Sequence, residues 1–221
     1  IAKTKDLVKA YFGGIPKGGK IPRTDVVEPP MAKEVRDVVY DRIQLPAVVQ
    51  AYRIPAYGSA DFYAVDMLNR LLSNGNSSRL NRAVKDAQQK ALMVGSFSLP
   101  FEHPGLAIAF AIANAGVDAD SLEKSMDAEF AKVREELVTP EELEKLKVGI
   151  ETEFIGANAR VAGVAENLAS AWTFLGDTKK VNTELAQYLA VTAEDLRRVA
   201  RTYFDPGRRV VLHYLPLAQK P

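Results

Sequence analysis

The sequence predicts an α+β domain: a mostly antiparallel sheet with helices packed on one of its faces. Three observations carry that prediction. Stretches with strand character come in pairs, residues 35–43 with 47–54 and residues 91–99 with 106–114, joined by breaks too short to hold a crossover helix. Helical periodicity comes in blocks between and after those pairs instead of alternating with single strands, which argues against a parallel α/β sheet. The 221 residues, 47% hydrophobic and 26% charged, match ordinary globular usage and suffice to bury roughly 70% of the surface an unfolded chain exposes.

Leu7, Val8, Tyr11 and Phe12 mark one face of a short helix over residues 3–12, which Gly13, Gly14 and then Pro16 stop. Residues 13–30 gather glycine and proline, end in Glu28-Pro29-Pro30, and read as an extended connector. A boundary is therefore expected near Met31: residues 1–30 form a helix and linker from the end of a preceding domain, and residues 31–221 form the domain proper. The valine-, tyrosine- and isoleucine-rich runs 35–43 and 47–54, parted by Gln44-Leu45-Pro46, are expected to be neighbouring strands.

Phe62, Val65, Leu68 and Leu72 recur at helical spacing, and Leu80, Ala83, Val84 and Ala87 repeat the pattern after Ser73-Asn74-Gly75-Asn76, so two helices flank a glycine turn. A hairpin follows, turning around His103-Pro104-Gly105. Its second strand sets Leu106, Ile108, Phe110 and Ile112 on one face and Ala107, Ala109, Ala111 and Ala113 on the other. The large face suits helices, and the small face suits close approach of other backbone, such as a partner or an extended peptide.

Leu122, Met126, Phe130, Val133 and Leu137 make the next helix, and Thr139-Pro140-Glu141-Glu142 is a capping box that opens another through Phe154. Further helices are expected over residues 161–174, 184–189 and 194–203, the last capped by Thr192, before a closing strand at 209–215. The apolar stripes of these helices, Trp172 and Phe174 included, are expected in the core.

Chemistry is bounded by what is missing. With no cysteine, the chain has no disulfide, thiolate metal site or cysteine nucleophile. A balance of 29 basic and 28 acidic residues creates no field for nucleic acid or an anionic membrane. The longest apolar run, residues 105–113, is about half of the roughly 20 a membrane span needs. The start at Ile1-Ala2-Lys3, without a charged leader and apolar block, reads as an excised or processed fragment of a soluble protein.

The two histidines, His103 and His213, are too far apart to clamp zinc from one helix turn; the first reads as a surface turn residue and the second as a hydrogen-bonded strand residue. Gly14 to Lys20 approaches a phosphate-binding loop, but Ile21 stands where a hydroxyl should reach magnesium and Pro22 follows in place of a helix. Ser59, Ser77 and Ser96 lie near glycine without the nucleophile-elbow pattern. The acidic groups at residues 118–120, 135–136 and 141–142 read as solvated helix-end charges. No complete active site is present, so the chain is expected to be inactive on its own.

Against this background the stretch Asn74-Gly75-Asn76-Ser77-Ser78-Arg79-Leu80 resembles the insulinase-type, or pitrilysin-like (M16), zinc metallopeptidases, in which a glycine turn precedes Ser-Arg-Leu at a helix start. Two further stretches are similar to the same family. LVKAYFGGIPKG, residues 7–18, matches the helix and linker ending its first domain, and VTAEDLRRVARTYFDP, residues 191–206, matches its closing helix. The resemblance implies the second, non-zinc domain of a half-molecule with the family's metallohydrolase fold. Halves of this family pair as a clamshell around a chamber, with zinc held in another domain by H-x-x-E-H, so zinc is expected in the parent or a partner and not in this chain.

Active members also supply an arginine and a tyrosine, seven residues apart, from a domain of this kind to bind substrate and stabilise the oxyanion. Aligned on Ser78-Arg79-Leu80, these positions fall on Lys85 and Leu92, so the pair is broken; a slip of one residue would bring Met93, which also lacks a donor. The turn from Asn74 through Arg79 is either a plain helix connection capped by Ser77 or Ser78, or a backbone contact for substrate. Two placements follow: a domain beside the zinc domain that shapes the chamber, or part of a subunit that lost catalytic parts and supports an active partner. A reading of another class is a structural assembly module, like the core subunits that keep this fold in respiratory complexes. The resemblance also implies another M16-like domain or subunit as partner, an extended peptide as ligand, and a bacterial periplasmic or envelope setting.

Overall fold

The structure is a computed structural model that describes residues 1–19 and 29–220. Most of the predicted connector, including the Lys20-Ile21-Pro22 stretch, lies outside the described residues. The chain divides into two compact units, Ile1–Pro30 and Met31–Pro221. The first contains α1 (Ala2–Phe12), none of whose residues is buried.

The second unit is built on one five-stranded sheet. Its strands are β1 (Val35–Asp41), β2 (Ala47–Ile54), β3 (Ala91–Leu99), β4 (Gly105–Ala113) and β5 (Arg209–Pro216), in the spatial order β1-β5-β2-β4-β3. Three of the four pairings are antiparallel, and β1 with β5 is parallel. The expectation that the first two strands are neighbours is therefore corrected. The closing strand lies between them, with Val49 opposite Leu212 on one side and Asp37 opposite Leu212 on the other. A five-residue break fits a hairpin equally well, but β5 alternates buried and half-buried residues along its length, and only an interior position uses both of its edges.

Helices α2 (Ala60–Ser73), α3 (Ala119–Glu135), α4 (Pro140–Asn158), α5 (Val161–Leu175), α6 (Val181–Ala190) and α7 (Ala193–Tyr203) complete the unit. Both expected caps form: Thr139 with Glu142 opens α4, and Thr192 with Asp195 opens α7. The core lies between the sheet and α2, α3 and α7. There Val48, Tyr52 and Ile54 of β2 meet Leu68, Leu72, Met126, Phe130 and Leu196, all 1% exposed or less. Tyr52, Phe130 and Phe204 form its aromatic centre, with ring centroids 5.0 to 5.6 Å apart.

Three further expectations are corrected. The alanine face of β4, Ala107, Ala109, Ala111 and Ala113, is the buried one beneath the helices, because small side chains let the helix layer approach the sheet. Leu106, Ile108, Phe110 and Ile112 are only half-buried, on the opposite face. As β4 pairs on both sides, it offers no free backbone to a peptide. Residues 81–87 form a π-helix, not an α-helix, with Gln88 N–H donating to Ala83 O at 3.1 Å. The wider turn keeps Leu80 and Val84 both wholly buried. Trp172 is 65% exposed and Phe174 37% exposed, so neither lies in the core, although Phe174 meets Tyr57 edge-on.

Candidate functional site

The glycine turn is shaped locally by residue chemistry. Ser73 ends α2, Gly75 takes φ +80°, a conformation side chains disfavour, and Ser78 N–H donates back to Gly75 O at 3.1 Å. Asn81 Nδ2 donates to Ser78 Oγ at 2.9 Å, so the hydroxyl of buried Ser78 is held inward. Asn76 and Ser77 stay exposed, and Lys145 Nζ of α4 donates to Ser77 Oγ. Between this turn and α4 lies a cleft of about 120 Å³ lined by Asn74, Ser77, Ser78, Arg79, Glu142 and Lys145. A cleft of that size is below the roughly 300 Å³ of an ordinary ligand pocket, so it takes one small group, not a whole peptide.

Arg79 fixes the cleft. Its Nε and Nη2 donate to both oxygens of Glu142 at 2.9 and 2.7 Å, a bidentate pair that ties the turn to the capping box of α4. Glu142 is thus more than the solvated charge expected of it. The Arg79 hydrogen bond, partly opposed by burial, holds the Glu142 carboxyl below the ordinary range. A carboxylate lowered in the folded state contributes stability above about pH 5, which is lost as pH falls through the depressed value. Arg79→Ala is therefore expected to cost about 1–2 kcal/mol at neutral pH and progressively less on acidification. Urea melts at pH 7 and pH 3 check it, and an equal loss at both values would contradict the assignment.

A second cluster is buried under the sheet, and sequence reading missed it. Arg209 of β5 donates from Nη1 to Asp127 at 2.5 Å, from Nη2 to Glu123 at 3.0 Å, and from Nε to Glu34 at 3.2 Å. Arg36 donates to both oxygens of Glu123, at 2.8 and 2.5 Å. His213 Nε2 lies 2.7 Å from Glu123 Oε2, and Gln50 Nε2 donates to Asp127 at 2.8 Å. Burial alone would raise the Glu123 carboxyl, but the hydrogen bonds from Arg36 and His213 bring it below its usual value. Burial pushes the Tyr52 phenol up to about 12, against the pull of Arg209. The signal was present in period and spacing: Arg209 and His213 flank Val211 on one strand face, and Glu123 and Asp127, four apart, interrupt the apolar face of α3.

The peptidase M16 inactive-domain family model matches residues 1–149, about two thirds of the chain. This chain belongs to that family. The M16 domain is 29% identical over 217 residues to the zinc protease PqqE of Helicobacter pylori, covering 97% of this chain and 49% of that protein. A solved protease from Helicobacter pylori superposes with a TM-score of 0.89 at 26% identity, over 97% of this chain and 52% of the other. The inactive peptidase domain of a Bordetella parapertussis protein matches at 26% identity and TM-score 0.71, over 83% and 96% of the two chains. The chain thus spans about half the length of the curated relative. No helix among the described residues is long and apolar enough to cross a membrane.

Lys85 lies exposed on the π-helix and Leu92 lies 55% exposed at the start of β3; neither lines the cleft at the turn. Leu92 is the unpaired residue of a β-bulge: Ala91 pairs with Ala113 and Met93 with Ile112. The π-helix and the bulge each change the residue count between Ser78-Arg79-Leu80 and the strand. Leu92 and Met93 are both exposed and apolar.

Zinc, implied by the family, does not fit the donors present. Among the described residues, one group of three converges, Asp120, Glu123 and His213, with ligand atoms within 4.8 Å of one another. Both Glu123 oxygens already accept from guanidinium groups, whose charge opposes a cation. The other histidine, His103, is exposed in the turn between β3 and β4.

Proposed function

We propose that this M16 inactive domain is the non-catalytic part of a zinc metallopeptidase, forming wall surface of a peptide-binding chamber while another M16-like domain holds the zinc. The observation that carries the reading is the apolar, half-buried face of the sheet opposite its core side. Val49, Leu106, Ile108, Phe110, Leu212 and Tyr214 are half-buried there, an apolar floor several strands wide. Phe110 lies across Gly95, where any added Cβ would collide with the ring, so the floor is flat at that point. Peptide contact at such a floor is made by side chains. Strand addition at the β3 edge is opposed by Ser73, whose Oγ accepts from Ser96 N–H and donates to Ser96 O, both at 2.7 Å. In this reading Lys85 and Leu92 stand where active relatives place the arginine and tyrosine, and Asn74 through Arg79 lets one substrate group approach the backbone.

The purified chain is expected to retain far less than one zinc per molecule after equilibration with zinc and to cleave no quenched fluorescent peptide. Chelator-sensitive cleavage by the pure chain would sink the reading. Extended peptide is expected to shift methyl resonances of Leu106, Ile108 and Leu212 while leaving backbone exchange within β4 unchanged. The blocked β3 edge also favours the assembly-module reading, under which only a protein partner, never peptide, shifts those methyls.

A further inference from the structure

We propose that the cleft beside the C-terminal half of β5 binds an alkylammonium group, the charged end of a lysine side chain or of a free amine, held between His213 Nδ1 and the Asp120 carboxylate. The inference goes beyond the chamber reading and does not depend on it. Three stretches line the cleft: residues 44–46 between β1 and β2, residues 115–120 leading into α3, and His213, Leu215 and Gln219 in and just after β5. Its volume of about 560 Å³ falls within the roughly 300–1,000 Å³ of ordinary small-molecule pockets, unlike the smaller cleft at the glycine turn.

His213 is 9% exposed, and its two ring nitrogens have different surroundings. Nε2 lies 2.7 Å from Glu123 Oε2. Arg36 and Arg209 hold Glu123 as a carboxylate, which can only accept, so Nε2 carries a proton. In the neutral imidazole the lone pair is then on Nδ1. No hydrogen bond reaches Nδ1 among the described residues, and Asp120 Oδ1 stands 3.8 Å away, too far to bond it. Two acceptors at that separation, both lining one cleft, lie within hydrogen-bond reach of a single nitrogen that carries two or more protons.

The rest of the lining selects the class of donor. Asp118 and Asp120 bring two carboxylates, and none of the described lining residues is lysine or arginine, so the cleft favours a cation. Behind His213, Arg36 and Arg209 are balanced by Glu34, Glu123 and Asp127. Leu45, Pro46, Val117 and Leu215 supply apolar wall for a hydrocarbon stem. An anion at the start of α3 is disfavoured, because both aspartates oppose it and Asp118 already accepts from Ser121 N–H at 2.7 Å. A metal ion would find only His213 and Asp120, since Glu123 is taken up by guanidinium groups. A primary ammonium on an aliphatic stem suits both the acceptors and the walls.

Butylamine, Nα-acetyl-lysine methylamide and the uncharged norleucine counterpart of that amide are titrated separately into the 221-residue chain at about pH 7.5. The readout is the imidazole nitrogen resonances of His213 with the methyl resonances of Val117 and Leu215. The free chain is expected to show a neutral His213 with Nδ1 unprotonated, and butylamine is expected to shift Nδ1 and both methyl groups with millimolar affinity. Asp120→Asn, at a side chain 78% exposed and so with little effect on folding, is expected to weaken that binding about fivefold or more.

Shifts from the lysine amide as well as from butylamine assign the site to a lysine side chain, and shifts from butylamine alone assign it to a free amine; either result upholds the proposal. Equal shifts from the norleucine amide mean that the walls bind and the acceptors do not, which overturns it. So does an affinity that Asp120→Asn leaves unchanged, or the absence of any shift at His213. An imidazolium in the free chain, with both ring nitrogens protonated, removes the acceptor and overturns the proposal before any ligand is added.

Discussion

Replacing Arg209 with methionine is expected to cost about 3–5 kcal/mol of unfolding free energy, because it strands charges that burial has made dependent on it. The Arg209 side chain is 4% exposed and Glu123 7%, so solvent is poorly placed to take over the hydrogen bonds that Arg209 donates to Glu123 and to buried Tyr52, whereas Asp127 is 34% exposed and can be rehydrated. Arg36 shares Glu123 but is 45% exposed, so Arg36→Met is expected to cost about 1 kcal/mol or less. Urea denaturation of the two variants at neutral pH separates them. A loss below about 1.5 kcal/mol for Arg209→Met would mean that the cluster relaxes into solvent. Pairing Arg209→Met with Glu123→Gln should return part of the loss, since one of the stranded charges is then gone.

Phe204→Ala is expected to remove about 3–5 kcal/mol by a different route, the opening of a cavity. Phe204 is fully buried just beyond α7, with its ring 5.0 Å from Tyr52 and 5.6 Å from Phe130. None of these residues can close over the gap without leaving the others, as each belongs to a separate element. Phe204→Leu, which keeps most of the volume, should cost about 1–1.5 kcal/mol. A cycle with Phe130→Ala should show coupling of about 0.5–1.5 kcal/mol. Additive losses would show that the three rings pack independently of one another.

Legibility in the sequence followed the range of the forces involved. The caps at Thr139 and Thr192 were readable because both partners lie three residues apart, and the strands of the β3–β4 hairpin were readable from alternation and one turn. Insertion of β5 between β1 and β2 was not, because no local feature records a partner more than 150 residues away. The exposure of Trp172 was misread for a related reason: apolar periodicity marks a stripe, not whether its own domain buries it. At the glycine turn the sequence located the residues, but Arg79 and Glu142 meet across 63 positions and only the fold pairs them. The candidate arginine and tyrosine positions depend on a residue count that a π-helix and a bulge interrupt, and neither device has a reliable signature.

The place of β5 in the sheet also sets an order of events during synthesis. Apart from the β3–β4 hairpin and the pairing of β2 with β4, the sheet cannot close until residues 209–216 have been made, since β1 pairs only with β5 among the described strands. At about 5–20 residues per second, β1 waits on the order of ten seconds or more for its partner. Through that interval the edge of β2 that β5 will occupy stays open, beside apolar residues later enclosed, which is the state in which nascent chains aggregate or recruit chaperones. Completion of this domain is therefore gated by its last strand, and a chain interrupted before Arg209 loses the join between both parts of the sheet instead of a dispensable tail.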